Sequence, residues 1–258
     1  MNFFKMHALG NDFCIFGSPY DKHFPDKELI KTICERKYGI GCDCAVFIGH
    51  TDTADYFMHV FNPDGFEAEI CGNALRCSAK YVCEMGYFKK RCFSVQTQSG
   101  NRSVSVYDDK IVTEIGIPLI SDPYHLNVGG FTVPCVTVSM GNPHCVLFIK
   151  DLSDDEFMFL GKAIERHHDF PDGTNVEFAT IEDCNTIKMR VWERGIGETD
   201  SCTTGSCACV AAASLLGHEF QKCDVVQRGG TVTVTTNEDG TMRVEGCCKI
   251  VFKGTLLT

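Results

Sequence analysis

Residues 61–88 read FNPDGFEAEICGNALRCSAKYVCEMGYF, and residues 191–217 read VWERGIGETDSCTTGSCACVAAASLLG. In each stretch an extended run ends at a cysteine, a few small or polar residues turn, and a helical stretch follows. Cys71 and Cys202 thus stand at equivalent helix starts, 131 positions apart. The same spacing joins Gly10-Asn11 to Gly141-Asn142, Cys44 to Asn175, Asn62 to Glu193 and Glu67 to Glu198. One such match would mean nothing. Several in order along the chain predict two copies of one domain.

Strand-like runs around this frame include Asn2–Met6, Asp12–Phe16, Ala45–Ile48, Tyr56–Phe61, Phe93–Thr97 and Ser103–Tyr107. Helix-like stretches are Lys27–Arg36, Gly72–Met85, Asp154–His167 and Gly205–His218. Short turns at Asp108-Asp109 and Glu238-Asp239-Gly240 join further runs. Antiparallel hairpins packed against helices make an α+β architecture. The expected division is 1–117 and 118–249, at the polar, proline-containing stretch Pro118–His125. A C-terminal strand within 250–258 is expected to rejoin the first half. Two like domains would offer a ligand equivalent residues.

A cysteine at a helix start has specific chemistry. The first turn carries N–H groups without helical partners and the positive end of the helix dipole. It attracts a carboxylate and favours thiolate over thiol. Asn73, Thr203 and Thr204 are short enough to let an anion reach the backbone. Two such devices suit a reaction in which one thiolate removes a proton from one face of a carbon and the opposite thiol delivers one to the other face. That is stereochemical inversion by two bases.

Composition bounds the alternatives. The net charge of −10 argues against a general nucleic-acid or anionic-membrane binder. The start MNFFKMHALGND lacks the pattern of a signal peptide, which predicts a cytoplasmic protein. Seventeen cysteines are an odd count, unsuited to a disulfide framework. Most, such as Cys14, Cys92, Cys135 and Cys145, are expected to be small buried hydrophobes. Two rival chemistries exist. Cys42, Cys44, Cys207 and Cys209 form C-x-C pairs, a poor match to zinc spacing, so no metal is expected. A protease-like nucleophile with His144 as partner would leave the second cysteine unexplained. There is no glycine-rich phosphate fingerprint, and no cofactor is indicated.

The chain resembles the diaminopimelate epimerase family over nearly its whole length. The resemblance rests on KMHALGNDF (5–13), GIGCD (39–43), FNPDG (61–65), CGNALRC (71–77), GNPHCV (141–146), TNVEF (174–178), WERGIGET (192–199), CTTGSCA (202–208) and VFKG (251–254). It implies two pseudo-symmetric domains, each a curved, mostly antiparallel sheet around a central helix. It implies a pyridoxal-phosphate-independent enzyme interconverting LL- and meso-diaminopimelate, for lysine and peptidoglycan-precursor synthesis. Cys71 and Cys202 then match the catalytic cysteines. Gly72, Asn73, Thr203 and Thr204 match the holders of the reacting carboxylate, and Asn11 and Glu193 match ligands near its ammonium group. Asn62, Asn142, Asn175 and Arg194 match residues gripping the distal amino-acid end, where an arginine can take a carboxylate through paired hydrogen bonds. His144 and Glu198 look like supports behind them. A homodimer follows from the family alone; no interface is legible here.

The departures cluster near the cysteines. Cys44 stands in the substrate wall where the family usually has glutamine, and Thr203 where it usually has glycine. Ala74-Leu75 replaces Gly-Ala, and Gly246-Cys247-Cys248 stands where Gly-Pro-Ala is common. They leave two further readings open: a racemase of another polar amino acid, such as histidine, and a catalytically silent amino-acid-binding paralogue.

Overall fold

A computed structural model describes residues 1–22, 25–68, 70–108 and 110–257. In chain order it holds β1 (Asn2–Ala8), β2 (Asn11–Gly17), α1 (Lys27–Cys34), β3 (Cys44–Gly49), β4 (Tyr56–Phe61), α2 (Gly72–Glu84), β5 (Cys92–Thr97), β6 (Gly100–Tyr107) and β7 (Lys110–Gly116). There follow β8 (Leu119–Ile120), β9 (Tyr124–Val128), β10 (Phe131–Ser139), β11 (Pro143–Phe148), α3 (Asp154–Glu165), β12 (Asn175–Asp183), β13 (Thr186–Glu193) and β14 (Gly197–Thr199). The last are α4 (Thr203–Leu215), β15 (Lys222–Gln227), β16 (Gly230–Thr236), β17 (Met242–Gly246) and β18 (Lys249–Thr255). The fold is α+β. The chain divides into two compact units, Met1–Glu114 with Glu245–Thr258, and Ile115–Val244.

In the first unit, β1 pairs antiparallel with β2 and β18, β3 with β4, and β6 with β5 and β7. Two pairings are parallel, β2 with β3 and β4 with β5. Each of these spans a helix, α1 or α2, because parallel neighbours need a crossover. The helices are therefore connections within βαβ units, besides being a packing layer.

The second unit repeats the pattern. β10 pairs antiparallel with β11, β12 with β13, and β15 with β16. β11–β12 and β13–β15 are parallel, across α3 and α4. The register repeats too: Phe13 faces Cys44, and 131 positions later His144 faces Asn175. Helix α2, Gly72–Glu84, maps at that spacing onto Thr203–Leu215, which is α4.

The core explains these assignments. β3 is buried along its whole length. Cys44, Val46 and Ile48 face the α2 side, and Ala45 and Phe47 face the α1 side. Helix α4 is built from small residues, TTGSCACVAAASL, and is buried from Thr203 to Ala213. A helix apolar all round belongs in a core, and its thin side chains let β10–β13 and β16 pack close to it.

Three sequence readings change. α1 ends at Cys34, two residues before Arg36, because Glu35 is extended and Arg36 leaves the helix to pair with Asp12 and Asp43. α4 starts at Thr203, so Thr203-Thr204 form its first turn. Cys92 is exposed at the start of β5, as are Cys184 and Cys247. Of the turn at Asp108-Asp109, Asp109 lies outside the described residues, and Asp108 has φ 50°. Among the described residues no helix is long and apolar enough to cross a membrane.

Candidate active site

Each unit presents its cysteine in one way. Cys71 is the N-cap of α2, with φ −138° and ψ 108°, and its sulfur accepts from the Ala74 N–H at 3.5 Å. Cys202 is the N-cap of α4, with φ −126° and ψ 114°, and its sulfur accepts from the Gly205 N–H at 3.3 Å. In both, the acceptor serves the third residue of the helix, as serine or aspartate would. Sulfur is a weak acceptor. Two helices capped by the weaker group in equivalent places point to a use for the sulfur other than capping.

Around Cys71, the β1–β2 hairpin turns through Leu9 and Gly10, with φ 53° and 89°. Two positive φ values in a two-residue loop make the tight hairpin turn that delivers Asn11 as the first residue of β2. Asn11 Oδ1 accepts from Asn73 Nδ2 at 3.2 Å and lies 3.8 Å from Cys71 Sγ. Asn11 Nδ2 donates to Asp43 Oδ2 at 3.1 Å. The fully buried Arg76 donates to Asn73 Oδ1, which fixes that amide's orientation. Asn62 opens the turn before Phe66, and Cys44 Sγ donates toward its Oδ1 at 3.7 Å.

Asp12 and Asp43 anchor this corner, each accepting from the other's backbone N–H at 2.8–3.0 Å. Burial works against the Asp12 carboxylate. Hydrogen bonds from Arg36, Lys5 and the Asp43 amide outweigh it and hold the pKa down to about 2, from 3.8. A depressed carboxylate stabilises the fold above its unfolded pKa and loses that contribution as pH falls. Asp12→Asn is expected to cost about 2 kcal/mol near neutrality and progressively less as the pH falls toward 2. Urea unfolding followed from pH 7 to pH 2 checks this; an equal cost at both ends would contradict it.

Around Cys202, the Thr204 hydroxyl lies 3.5 Å from the sulfur and accepts from Asn142 Nδ2 at 3.3 Å. His144 Nε2 lies 3.1 Å from Asn142 Oδ1. His144 Nδ1 lies 2.7 Å from Glu177 Oε1, with both side chains fully buried. The Cys202 N–H donates to Gln227 Oε1 at 2.7 Å. Glu193 accepts from the Thr199 hydroxyl. Burial pushes the Cys202 thiol up, and the Glu193 and Glu177 carboxylates add to this, while the Thr204 hydroxyl and Gly205 N–H pull the other way. In this state Cys202 holds its proton, contrary to the thiolate expected from the helix start alone. Thr203 is the first residue of α4 and is not among the residues with positive φ, so threonine replaces glycine there without backbone strain.

The remaining residues behave differently. Asn175 spends its amide on backbone, accepting from the Arg194 N–H at 3.0 Å and donating to Pro143 O at 2.9 Å. It therefore ties the GNPH turn to the WERG loop. Arg194 is exposed, its guanidinium 3.3 Å from Asp172 O. Glu165 pins the same loop from beneath, accepting from Trp192 Nε1 at 2.7 Å and from the Gly195 N–H at 2.9 Å. Glu198 holds Arg190 at 2.9 Å and Arg228 at 3.5 Å. It is an ion-pair residue of the β13–β14 turn region.

Sequence reasoning missed Glu177, Gln227, Asp43 and Arg76. Gln227 had an available signal, since Gln96 precedes it by the same 131 positions. Their partners differ: Gln96 accepts from Thr53 and Thr51, and Gln227 from Cys202. The only cluster of metal-ligand type found among the described residues is His167–His168–Asp169, in which His168 and Asp169 are exposed.

A family model described as diaminopimelate epimerase matches residues 3–119 and 136–248. A diaminopimelate epimerase of Desulfitobacterium hafniense is 38% identical over 280 residues, covering 100% of this chain and 98% of that protein. One of Bacteroides thetaiotaomicron is 39% identical over 261 residues, covering 98% and 97%. A solved phenazine biosynthesis protein of the PhzF family from Bacillus anthracis aligns with a TM-score of 0.77 at 19% identity, covering 100% of this chain and 99% of that one. The likeness to that structure is one of fold.

Proposed function

The chain belongs to the diaminopimelate epimerase family, and on that premise we propose that Cys71 and Cys202 are the paired acid and base of its isomerase reaction. The reaction interconverts LL- and meso-diaminopimelate, serving lysine and peptidoglycan-precursor synthesis in the cytoplasm. The observation that carries the reading is the shared cap geometry: two sulfurs, each at a helix N-terminus, each bonded to the third N–H of its helix.

Gly72-Asn73 and Thr203-Thr204, in the first turns of α2 and α4, are each assigned to the substrate's reacting carboxylate on the family resemblance. Their N–H groups and dipoles stabilise the charge that spreads onto it as the α-carbon loses its proton. One sulfur, as thiolate, takes the α-proton; the C–H electron pair passes into the carboxylate as an enolate-like carbanion. The other sulfur, as thiol, gives its proton to the opposite face. The two sulfurs end with exchanged protonation states, so the enzyme is ready for the reverse direction. Glu193 and Asn11 take the ammonium group. That positive charge removes the repulsion between Glu193 and the Cys202 sulfur, so substrate binding itself favours ionisation there.

Asn62, Asn142, Asn175 and Arg194 are assigned to the distal amino-acid end, Asn175 by shaping the loop. Cys44 belongs to the wall, and His144 and Glu198 support from behind. Metal and pyridoxal phosphate have no part in this scheme. The homodimer rests on the family resemblance alone.

The test is conversion of LL-diaminopimelate to the meso form by protein treated with a chelator and with hydroxylamine, which captures pyridoxal phosphate. Undiminished conversion is expected. Loss of activity to either reagent, or turnover of histidine in place of diaminopimelate, would overturn the reading.

A further inference from the structure

Behind Cys202 the second unit holds an unbroken chain of polar contacts: Glu177, His144, Asn142, Thr204 and the sulfur. The separations, in that order, are 2.7, 3.1, 3.3 and 3.5 Å. Four elements supply it, β12, the loop before β11, β11 itself and α4. Glu177 lies deepest. An added Cβ on Gly205 would sit 2.6 Å from Glu177 Oε1, so the carboxylate packs directly on the first turn of α4. Its Oε2 has no hydrogen-bond partner among the described residues. Burying a carboxylate oxygen unpaired is costly, so glutamate is kept here against stability.

We infer that Glu177 is a positioning residue that acts on Cys202 through His144, Asn142 and Thr204. The inference rests on Cys202 being an acid–base group. The direction of each bond follows from donor and acceptor capacity. Asn142 Nδ2 donates to Thr204, which leaves Oδ1 as an acceptor, so His144 Nε2 carries a proton. The single proton between His144 Nδ1 and Glu177 Oε1 belongs to the pair, which is neutral whichever side holds it. The Thr204 hydroxyl, already accepting from Asn142, keeps its own proton to donate to the sulfur once that is a thiolate. From His144 Nε2 onward every donor therefore points at Cys202, and each bond polarises the next. An amide passes on polarisation and not a proton, so the chain stabilises thiolate without supplying the catalytic proton.

The ionisable groups around Cys202 are Glu193 of β13, Glu177 of β12, His144 of β11 and Cys209 of α4. Simple repulsion between Glu177 and the sulfur makes one prediction, and the chain makes the opposite one. If Glu177 acts only as a nearby charge, Glu177→Gln eases Cys202 ionisation. If it acts through the chain, Glu177→Gln hinders it. The new amide either donates to Nδ1 and loses the polarising charge, or accepts from Nδ1–H and turns Nε2 into an acceptor. The second outcome flips Asn142 and turns the Thr204 hydroxyl away.

The experiment is iodoacetamide labelling of Cys202 against pH, read by peptide mass spectrometry, with exposed Cys92 as internal reference. Glu177→Gln is expected to raise the pH midpoint at Cys202 and cut labelling near pH 7.5 on the order of three- to tenfold, the worth of one buried hydrogen bond. Cys92 labelling stays constant. Thr204→Val should give a similar shift, and the double variant should go no further than Thr204→Val alone, because that hydroxyl is the last link. A lowered or unchanged midpoint in Glu177→Gln, or fully additive shifts, overturns the inference. Should Glu177→Gln fail to fold, Asn142→Ala cuts the chain one link later and must raise the midpoint alike. Labelling does not depend on turnover, so a failure here is separable from failure of the epimerase reading, which active Cys202→Ala would reveal.

Discussion

Cys202→Ala and Cys71→Ala are each expected to lower epimerisation by about 10²–10⁴-fold, the usual contribution of one positioned acid–base group, or beyond detection. Neither should unfold the protein. Cys71 and Cys202 each cap a helix with one weak bond from sulfur to N–H. Alanine forfeits that bond, at about 1 kcal/mol or less. Serine separates the two roles further. Its hydroxyl is a better cap than a thiol, so Cys71→Ser and Cys202→Ser should match or exceed the parent in thermal stability. Their epimerase activity should be lost, because a serine hydroxyl does not ionise near neutrality. Stability and activity moving in opposite directions is the mark of a residue kept for chemistry. Calorimetry beside an activity assay reads both. Equal activity in either serine variant would remove that sulfur from the mechanism.

Glu193→Gln is the second large effect. Glu193 is assigned to the substrate ammonium and raises the Cys202 thiol by its charge. Removing the charge should lower kcat/KM on the order of 10²-fold, the loss of a charge-assisted bond in a partly buried site. In the absence of substrate the same variant should make Cys202 easier to ionise, and its labelling near pH 7.5 should rise. Lower activity with a more reactive thiol distinguishes a substrate ligand from a residue needed to ionise cysteine. A fall in both would assign Glu193 to activating the sulfur.

The parts of this account legible in the sequence share a cause: they are repeated. Cys71 and Cys202, Asn11 and Asn142, and the helices after the cysteines recur at one spacing, and the paired registers Phe13–Cys44 and His144–Asn175 recur with them. Glu177 was illegible for the same reason. At that spacing it corresponds to Val46 and His144 to Phe13, two apolar core residues of the first unit. The buried His144–Glu177 pair exists in one half only, and it is made by the parallel pairing of β11 with β12 across α3, which local pattern does not reveal. Arg76 was hidden differently. It stands in a helical run where an arginine reads as a surface residue, yet the small residues around it in α2 place it wholly inside. Asn175 looked like a substrate ligand among four; both ends of its amide hold backbone instead. The thiolate expected at Cys202 shows how a local rule loses to its surroundings. The helix N-terminus favours ionisation, but burial and two carboxylates outweigh it.

The central claim is that two different sulfurs handle the departing and arriving protons. The most direct measurement is deuterium content during the first turnovers of LL-diaminopimelate in deuterated water. With two bases, the meso product carries one solvent deuterium at the inverted α-carbon from the outset, while recovered substrate stays unlabelled. Product that retains the original proton, or substrate that gains label as fast as product forms, would show a single base working on both faces and would contradict the account.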